Sequence, residues 1–362
     1  MCVTPTTPHP PPAPPAPTGG PCDDACRLTL TAQVYKSVLS PEQCEECLTR
    51  IWDGMESCRT GIDRSDPSTW TDRNFIPALP GQQSASLWHI RGLPEVRRAW
   101  ATAWETEDLL VAFNTAYIWR PYGIDPSWKP PGLSYHIDRQ PFPREGLSVG
   151  IPTSRFGHHK PEYFQGFVSL VRGSPCVGGN TLIPRSHAQY AEFVREFGSV
   201  EKGLPVSEII AHRPEVFERG IVAHVEQGDA LLWDDRTLHG NCTGIVAPAA
   251  DSPLFKPQLA RAGAVVNMSP KRWASPEALE TRRIATERGV GNGHRSHHPI
   301  DRERLEEPAQ RDEADAAAWA LREWLRQGGE AKVAGRTTNG GVYAQKRVPA
   351  PPLTPYQWSL VC

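Results

Sequence analysis

Leu133-Ser134-Tyr135-His136-Ile137-Asp138-Arg139-Gln140 sets an imidazole and a carboxylate two positions apart in a stretch of strand-like composition. Along an extended strand, residues i and i+2 project from one face. His136 and Asp138 therefore reach toward the same point. A second stretch, Gly228-Asp229-Ala230-Leu231-Leu232-Trp233-Asp234-Asp235-Arg236-Thr237-Leu238-His239-Gly240, leaves a Gly-Asp turn, runs through an apolar strand and ends in a lone His followed by Gly. Taken together, His136, Asp138 and His239 have the composition of a 2-His-1-carboxylate facial triad, which holds non-haem Fe(II) and leaves three coordination positions open.

Working outward, the chain between Leu110 and Met268 reads as short strands split by turns. The strands are Leu110 to Arg120, the segment around His136, Gln165 to Val171, the stretch opened by Gly178-Gly179, Ile221 to Val225, Ala230 to Trp233, and Arg261 to Met268 as the last. Gln227-Gly228-Asp229 reads as the turn joining the fifth and sixth of these. Many short strands with turn signals predict a sandwich or jelly roll. Ahead of them, Ser40-Pro41-Glu42-Gln43 reads as a capped helix start, with the helix running to about Cys58. Pro94 to Leu110 reads as a second helix with Val96, Trp100 and Trp104 on one stripe. Residues 61–84 are polar and rich in turn formers, and 121–133 and 141–162 read as loops, the latter holding His158-His159. A helix is expected over Gln189 to Phe197. Beyond Pro270 the pattern is helical and charged, at Pro276 to Arg288 and Glu313 to Gln327, and Tyr356 to Cys362 is expected to dock back through Trp358.

The 37 prolines and 30 glycines dilute a hydrophobic content of 39%, which suits a loop-rich core with non-globular ends. Residues 1–27 are Pro-rich and read as a disordered tail, with a partner that binds Pro-rich segments as a possible ligand. A net charge of -2 gives no global basic field, so a nucleic-acid partner is not expected. No apolar run approaches a membrane span, and no secretory signal pattern opens the chain, so the default compartment is cytoplasmic. Nine cysteines in a chain without a signal read as reduced thiols. Cys44-Glu45-Glu46-Cys47 has zinc-site spacing, but it falls inside the capped helix and has no second pair, so it reads as an amphipathic helix face.

The order of four pieces resembles the phytanoyl-CoA dioxygenase family of Fe(II)/2-oxoglutarate oxygenases. These are Tyr135-His136-Ile137-Asp138, the run from Gln165 to His187 with its Gly-Gly-Asn-Thr-Leu-Ile-Pro-Arg-Ser-His, Gly228-Asp229 through His239, and Arg261 before an apolar strand. The Gly-Gly to Pro-x-Ser-His segment is the most specific, and the likeness covers about residues 110–270. The resemblance implies a fold that is mainly β with flanking helices (α+β), built on a double-stranded β-helix or cupin-like jelly roll. The domain plan it suggests is the tail at 1–27, the oxygenase domain at 28–275, and a helical extension at 276–362 packing on the core. It implies Fe(II), 2-oxoglutarate and O2 as cofactors and co-substrates, a small or medium organic substrate, and hydroxylation with release of succinate and CO2.

An arginine fork pairs with a carboxylate bidentately, and Arg261 opens the strand after His239, so it is the expected anchor for the far carboxylate of the oxo acid. The loop from His239 to Arg261 is longer than usual for the family, which leaves Arg272 as the alternative. Gln165 and Asn114 complete the expected cofactor-binding set. Gln140 is a further candidate for hydrogen bonds to co-substrate or substrate, and Tyr117 for lining the site. Asp234 and Asp235 read either as acceptors for a ligating imidazole or as solvated loop carboxylates. His187 reads as a structural histidine bonded to backbone at a strand end. The stretch Gly291-Asn292-Gly293-His294-Arg295-Ser296-His297-His298-Pro299 resembles a Ser-His stretch that follows the core in some family members, and is expected to return over the site. The presence of Asp138, where a halogenating relative would carry a small residue, argues for hydroxylation or desaturation. Two other readings remain: a cupin-type metal enzyme without an oxo acid, and a non-catalytic binding protein.

Overall fold

The computed structural model describes residues 32–131, 133–139, 163–199, 203–306 and 351–361. The Pro-rich tail, Gln140, the 141–162 loop with His158-His159, and the expected helix at Glu313 to Gln327 lie outside the described residues. Eleven strands are described: β1 (Ala32–Tyr35), β2 (Leu109–Val111), β3 (Ala116–Trp119), β4 (Leu133–His136), β5 (Phe164–Ser169), β6 (Gly178–Leu182), β7 (Ile221–Val222), β8 (Ala230–Asp234), β9 (His239–Thr243), β10 (Arg261–Val265) and β11 (Met268–Pro270). They form antiparallel sheets in the orders β1-β8-β5-β10-β3, β4-β9-β6-β7 and β11-β2. The fold is thus a mixture of helices and antiparallel sheets.

Period-2 alternation assigns the faces. Ala230 and Leu232 of β8, Val168 of β5, and Ala262 and Ala264 of β10 join the cluster formed with the helices. Leu231 and Trp233 of β8 and Phe167 of β5 turn the other way and pack on Leu182 of β6. The five-stranded sheet is therefore covered by helices on one side and by the four-stranded sheet on the other. Gln165 and Arg261 have the inward parity. Gly263 lies on that same face beneath Tyr117, where any Cβ would strike the Tyr117 hydroxyl and the Val168 carbonyl.

Helix Pro41–Ser57 begins as expected. Ser40 Oγ accepts the Gln43 N–H, and Gln43 Oε1 accepts the Ser40 N–H at 2.9 Å. Cys44, Cys47, Ile51, Trp52 and Met55 form its buried face. Burial pushes both thiols up to about 12, so Cys44 and Cys47 are core residues and not zinc-poised thiolates.

Several expectations are corrected. The run Leu110 to Arg120 is two strands in different sheets, β2 and β3, broken around Asn114. The helix from Pro94 ends at Trp104, where Glu105 turns left-handed at φ 55°. Met268–Pro270 is a further strand beyond Arg261–Val265 and pairs with β2. The turn at Gly228 (φ 82°) does not join a hairpin, because β7 and β8 belong to different sheets. Its Asp229 binds the first strand's exit, accepting from Lys36 Nζ at 2.8 Å and Ser37 N at 2.9 Å. Residues 61–84 hold the short helix Asp72–Ala78, and helix Ala85–Arg91 follows at once.

Beyond the sheets, helix Pro276–Arg288 buries Ala278, Thr281, Arg282 and Ala285. The chain end docks through Leu360 and Val361, which are fully buried, while Trp358 is only partly so. Arg282 joins these parts. Its guanidinium donates to the carbonyls of Val361 (2.7 Å), Ser296 (2.7 Å), Val111 (2.8 Å) and Leu360 (2.8 Å) and lies over the Phe113 ring. Arg282→Met would strip the guanidinium donors from those buried carbonyls, of which Leu360 keeps the Val111 N–H at 3.0 Å. It is expected to lower the unfolding free energy by roughly 3 kcal/mol or more in chemical denaturation. A loss below about 1 kcal/mol would mean that water replaces the guanidinium.

Candidate metal centre

Two strands of the smaller sheet bring the histidines together. His136, the last residue of β4, pairs across the ladder with His239, the first of β9, and their ring centroids are 4.2 Å apart. Asp138 lies two residues past the end of β4, in extended chain outside the ladder. The strand supplies the side-by-side histidines, and the chain leaving it turns the carboxylate in. His239 Nε2 is 3.3 Å from Asp138 Oδ2, and His136 Nε2 is 3.9 Å from the same oxygen. The ligand atoms of all three lie within 4.8 Å of one another, and no other such group occurs among the described residues.

The donor set fits a divalent transition metal. Ligands at about 2.1 Å on cis positions of an octahedron lie roughly 3 Å apart, so small side-chain adjustments close the observed spacing onto an ion. The tautomer of His239 fits as well. Its Nδ1 is 2.8 Å from the Thr237 carbonyl, so this nitrogen carries the proton and Nε2 keeps its lone pair for the site.

Asp138 is held by a relay. Trp233 Nε1 donates to Gln165 Oε1 at 2.9 Å, which fixes the amide so that Gln165 Nε2 donates to Asp138 Oδ2 at 2.7 Å. Burial alone would raise the Asp138 carboxyl, but its close approach to the His239, His294 and His136 side chains holds it well below the usual carboxylate range. It is therefore an anion ready to ligate. Gln165, an expected co-substrate contact, thus donates to the ligating carboxylate. Gln165→Leu removes the donor while keeping the volume. It is expected to weaken metal affinity roughly 10- to 100-fold by titration, and an unchanged affinity would show that the relay does not orient Asp138.

Arg261 opens β10 on the inner face. Its guanidinium lies over Tyr117 (4.6 Å to the centroid), Trp119 (4.8 Å) and Phe167 (5.8 Å), and Nη1 donates to Asn241 Oδ1 at 2.6 Å. Burial lowers its pKa. No carboxylate forms an ion pair with it among the described residues. Asn241 follows His239 by two residues on β9, so the two side chains share a face about 7 Å apart along the strand. Sequence reasoning missed Asn241, although its i+2 relation to His239 was the available signal. Arg272 is exposed, in the turn Lys271–Trp273.

The returning stretch does reach the site. Arg295 Nη2 donates to the Asp138 carbonyl at 3.3 Å, and His294 Nε2 is 3.9 Å from Asp138 Oδ2. Asn114 contacts His294, with Nδ2 3.0 Å from Nδ1. Asp234 pairs with Arg236. Asp235 is buried 3.5 Å from Arg139 Nη1, and burial pushes its carboxyl up. Neither serves as the acceptor of the His239 N–H, which is the Thr237 carbonyl. His187 lies in the turn Ser186–Gln189, and its buried Nδ1 has no hydrogen-bond partner among the described residues, so the expected bond to backbone is not found there. Its neighbour Ser186 makes the structural contact, accepting Leu238 N–H at 2.8 Å.

No family model matches the chain. Two curated proteins are similar in sequence. "Ava biosynthesis cluster protein O" of Aspergillus versicolor is 26% identical over 286 residues, spanning 73% of this chain and 82% of the relative. "Putative phytanoyl-CoA dioxygenase" of Dictyostelium discoideum is 23% identical over 240 residues, spanning 58% of this chain and 66% of the relative. Among solved structures, the hypothetical protein JW0805 of Escherichia coli superposes with a TM-score of 0.50 at 15% identity, covering 78% of this chain and 75% of that one; this likeness is one of fold. The family in the Dictyostelium relative's name is the one that the sequence motifs resemble.

Proposed function

We propose that the protein is an Fe(II)- and 2-oxoglutarate-dependent dioxygenase that hydroxylates a small or medium organic substrate. The observation that carries this reading is the convergence of the His136, Asp138 and His239 ligand atoms within 4.8 Å. The half-buried Arg261, which has no acid partner among the described residues, favours an oxo acid over a cupin-type metal enzyme that uses none. When bound, the iron and 2-oxoglutarate supply the oxidising power that inserts one oxygen atom of O2 into a substrate C–H bond, with succinate and CO2 as co-products.

The chain's own residues have separable tasks. His136 Nε2, His239 Nε2 and a carboxylate oxygen of Asp138 hold the metal. Thr237 and Gln165 fix the orientation of His239 and Asp138. Arg261, steadied by Asn241 and walled by Tyr117, Trp119 and Phe167, takes the far carboxylate of the co-substrate in a site with little competing water. The roughly 7 Å offset between His239 and Asn241 along β9 suits a five-carbon diacid that chelates at one end and pairs with Arg261 at the other.

The double-stranded β-helix is the architecture we assign to the core. Support comes from two antiparallel sheets sharing an inner face, with the ligands at the rim of the smaller one. A catalytic domain over 28–275 and an extension over 276–362 that packs on it suit the buried contacts of helix Pro276–Arg288. The substrate is proposed as a small molecule only.

The test is an anaerobic titration of the purified protein with Fe(II) and then 2-oxoglutarate, followed in the visible for the weak metal-to-ligand charge-transfer band. A band is expected, followed by succinate formation once O2 is admitted. Absence of the band in folded, iron-loaded protein would sink this reading.

A further inference from the structure

His294 stands 3.9 Å from Asp138 Oδ2 and invites assignment as a fourth ligand. Its other nitrogen argues otherwise. Nδ1 faces two side-chain amides, Asn114 Nδ2 at 3.0 Å and Asn267 Nδ2 at 3.2 Å. Neither amide is free to turn over. Asn114 Oδ1 accepts the Thr115 N–H at 2.8 Å, and Asn267 Oδ1 accepts the Gly166 N–H at 2.8 Å. A backbone N–H needs the carbonyl end of each amide, so the NH2 ends must face the imidazole. Two donors aimed at one ring nitrogen require a lone pair there. The ring proton is therefore on Nε2, the nitrogen turned toward Asp138, and a protonated nitrogen cannot ligate.

The ring is held as firmly as its tautomer. Tyr163 donates to the His294 carbonyl and accepts the Ser296 N–H at 3.2 Å. Asn292 Oδ1 accepts the Phe113 N–H at 2.6 Å, and Arg282 holds the Ser296 carbonyl. The 3.9 Å gap to Asp138 is too long for a hydrogen bond, and Nε2 has no hydrogen-bond partner among the described residues. The side chain is 38% exposed, so the N–H is accessible at the site.

We propose that His294 is a preset neutral hydrogen-bond donor, with its proton on Nε2, to the carboxylate of the 2-oxo acid bound beside Asp138. This rests on the oxygenase reading above and adds a recognition group from outside the sheets. Asn114 and Asn267 then act as positioning residues that fix the tautomer.

Two measurements test it. In the metal-free protein, long-range 1H–15N correlation of the histidine rings should give His294 a protonated Nε2 and an unprotonated Nδ1; the opposite pattern overturns the proposal without reference to iron. In the anaerobic titration, His294→Ala should bind Fe(II) alone within about two-fold of wild type. It should bind 2-oxoglutarate roughly 10- to 100-fold more weakly, with a displaced charge-transfer band. His294→Gln, which keeps an N–H at similar reach, should recover most of that affinity. Loss of Fe(II) affinity without the oxo acid would make His294 a ligand, and an unchanged oxo-acid affinity and band would remove its donor role; either overturns the proposal. A wild-type protein that shows no band fails the oxygenase reading itself, and the ring-nitrogen measurement still decides the tautomer.

Discussion

His239→Ala is expected to abolish the charge-transfer band and to leave succinate formation at background. Of the three ligands, His239 is the most deeply set, 5% exposed at the start of β9. Its lone pair is directed by backbone, through the Thr237 carbonyl. Loss of an orienting partner alone typically costs 10- to 100-fold in metal affinity. Removing the ligand itself should therefore exceed about 100-fold and leave two donors, too few to hold iron against water. The vacated space lies beside Trp233, whose ring centroid is 5.2 Å from that of His239, so the fold should survive. Circular dichroism and a thermal melt close to wild type, with metal binding gone, are the expected pair of results. Retention of stoichiometric Fe(II) with a normal band would remove His239 from the ligand set.

Arg261→Ala is expected to separate the two cofactors. Iron should still bind, because no proposed ligand touches Arg261. The affinity for 2-oxoglutarate should fall by about 3 kcal/mol, roughly two orders of magnitude, the usual scale for truncating one member of a buried, hydrogen-bonded charge pair. Arg261→Lys keeps the charge but loses the planar fork and its stacking on Tyr117 and Trp119, so it should fall between the two. Isothermal titration of the iron-loaded variants under argon measures this. Equal affinity in wild type and Arg261→Ala, or a loss seen with Arg272→Ala in its place, would move the anchor elsewhere.

What could be read along the chain was whatever depends on local period and local caps. The capping box at Ser40 and Gln43 is contained in four residues, and the helix followed it. His136 and Asp138 share a direction because two residues of extended chain return to one face, whatever lies around them. What could not be read depends on contacts between distant segments. The apolar run after Leu109 has no internal mark of its break, which arises because Leu109–Val111 pairs with Met268–Pro270 while Ala116–Trp119 pairs with Arg261–Val265. Helices Asp72–Ala78 and Ala85–Arg91 are short, and one contains Pro77. Their stability comes from burying Phe75, Leu87 and Trp88 and not from propensity. The site shows the same limit. Asn114 and Gln165 were picked as co-substrate contacts, but their hydrogen-bond partners, His294 and Asp138, lie 180 and 27 residues away. Those contacts between distant segments appear only in the assembled structure.

The aromatic enclosure of Arg261 bears on how a reaction cycle would end. The carboxylate that Arg261 is proposed to hold is the one that decarboxylation leaves untouched, so succinate carries it still. Spent and fresh co-substrate then differ only at the metal end, where the chelating oxo acid has become a single carboxylate. Departure would have to break the same charged contact that made capture effective, between the rings of Tyr117, Trp119 and Phe167. On that proposal tight capture and prompt release would oppose each other at one residue, and accumulated succinate would compete with 2-oxoglutarate for it.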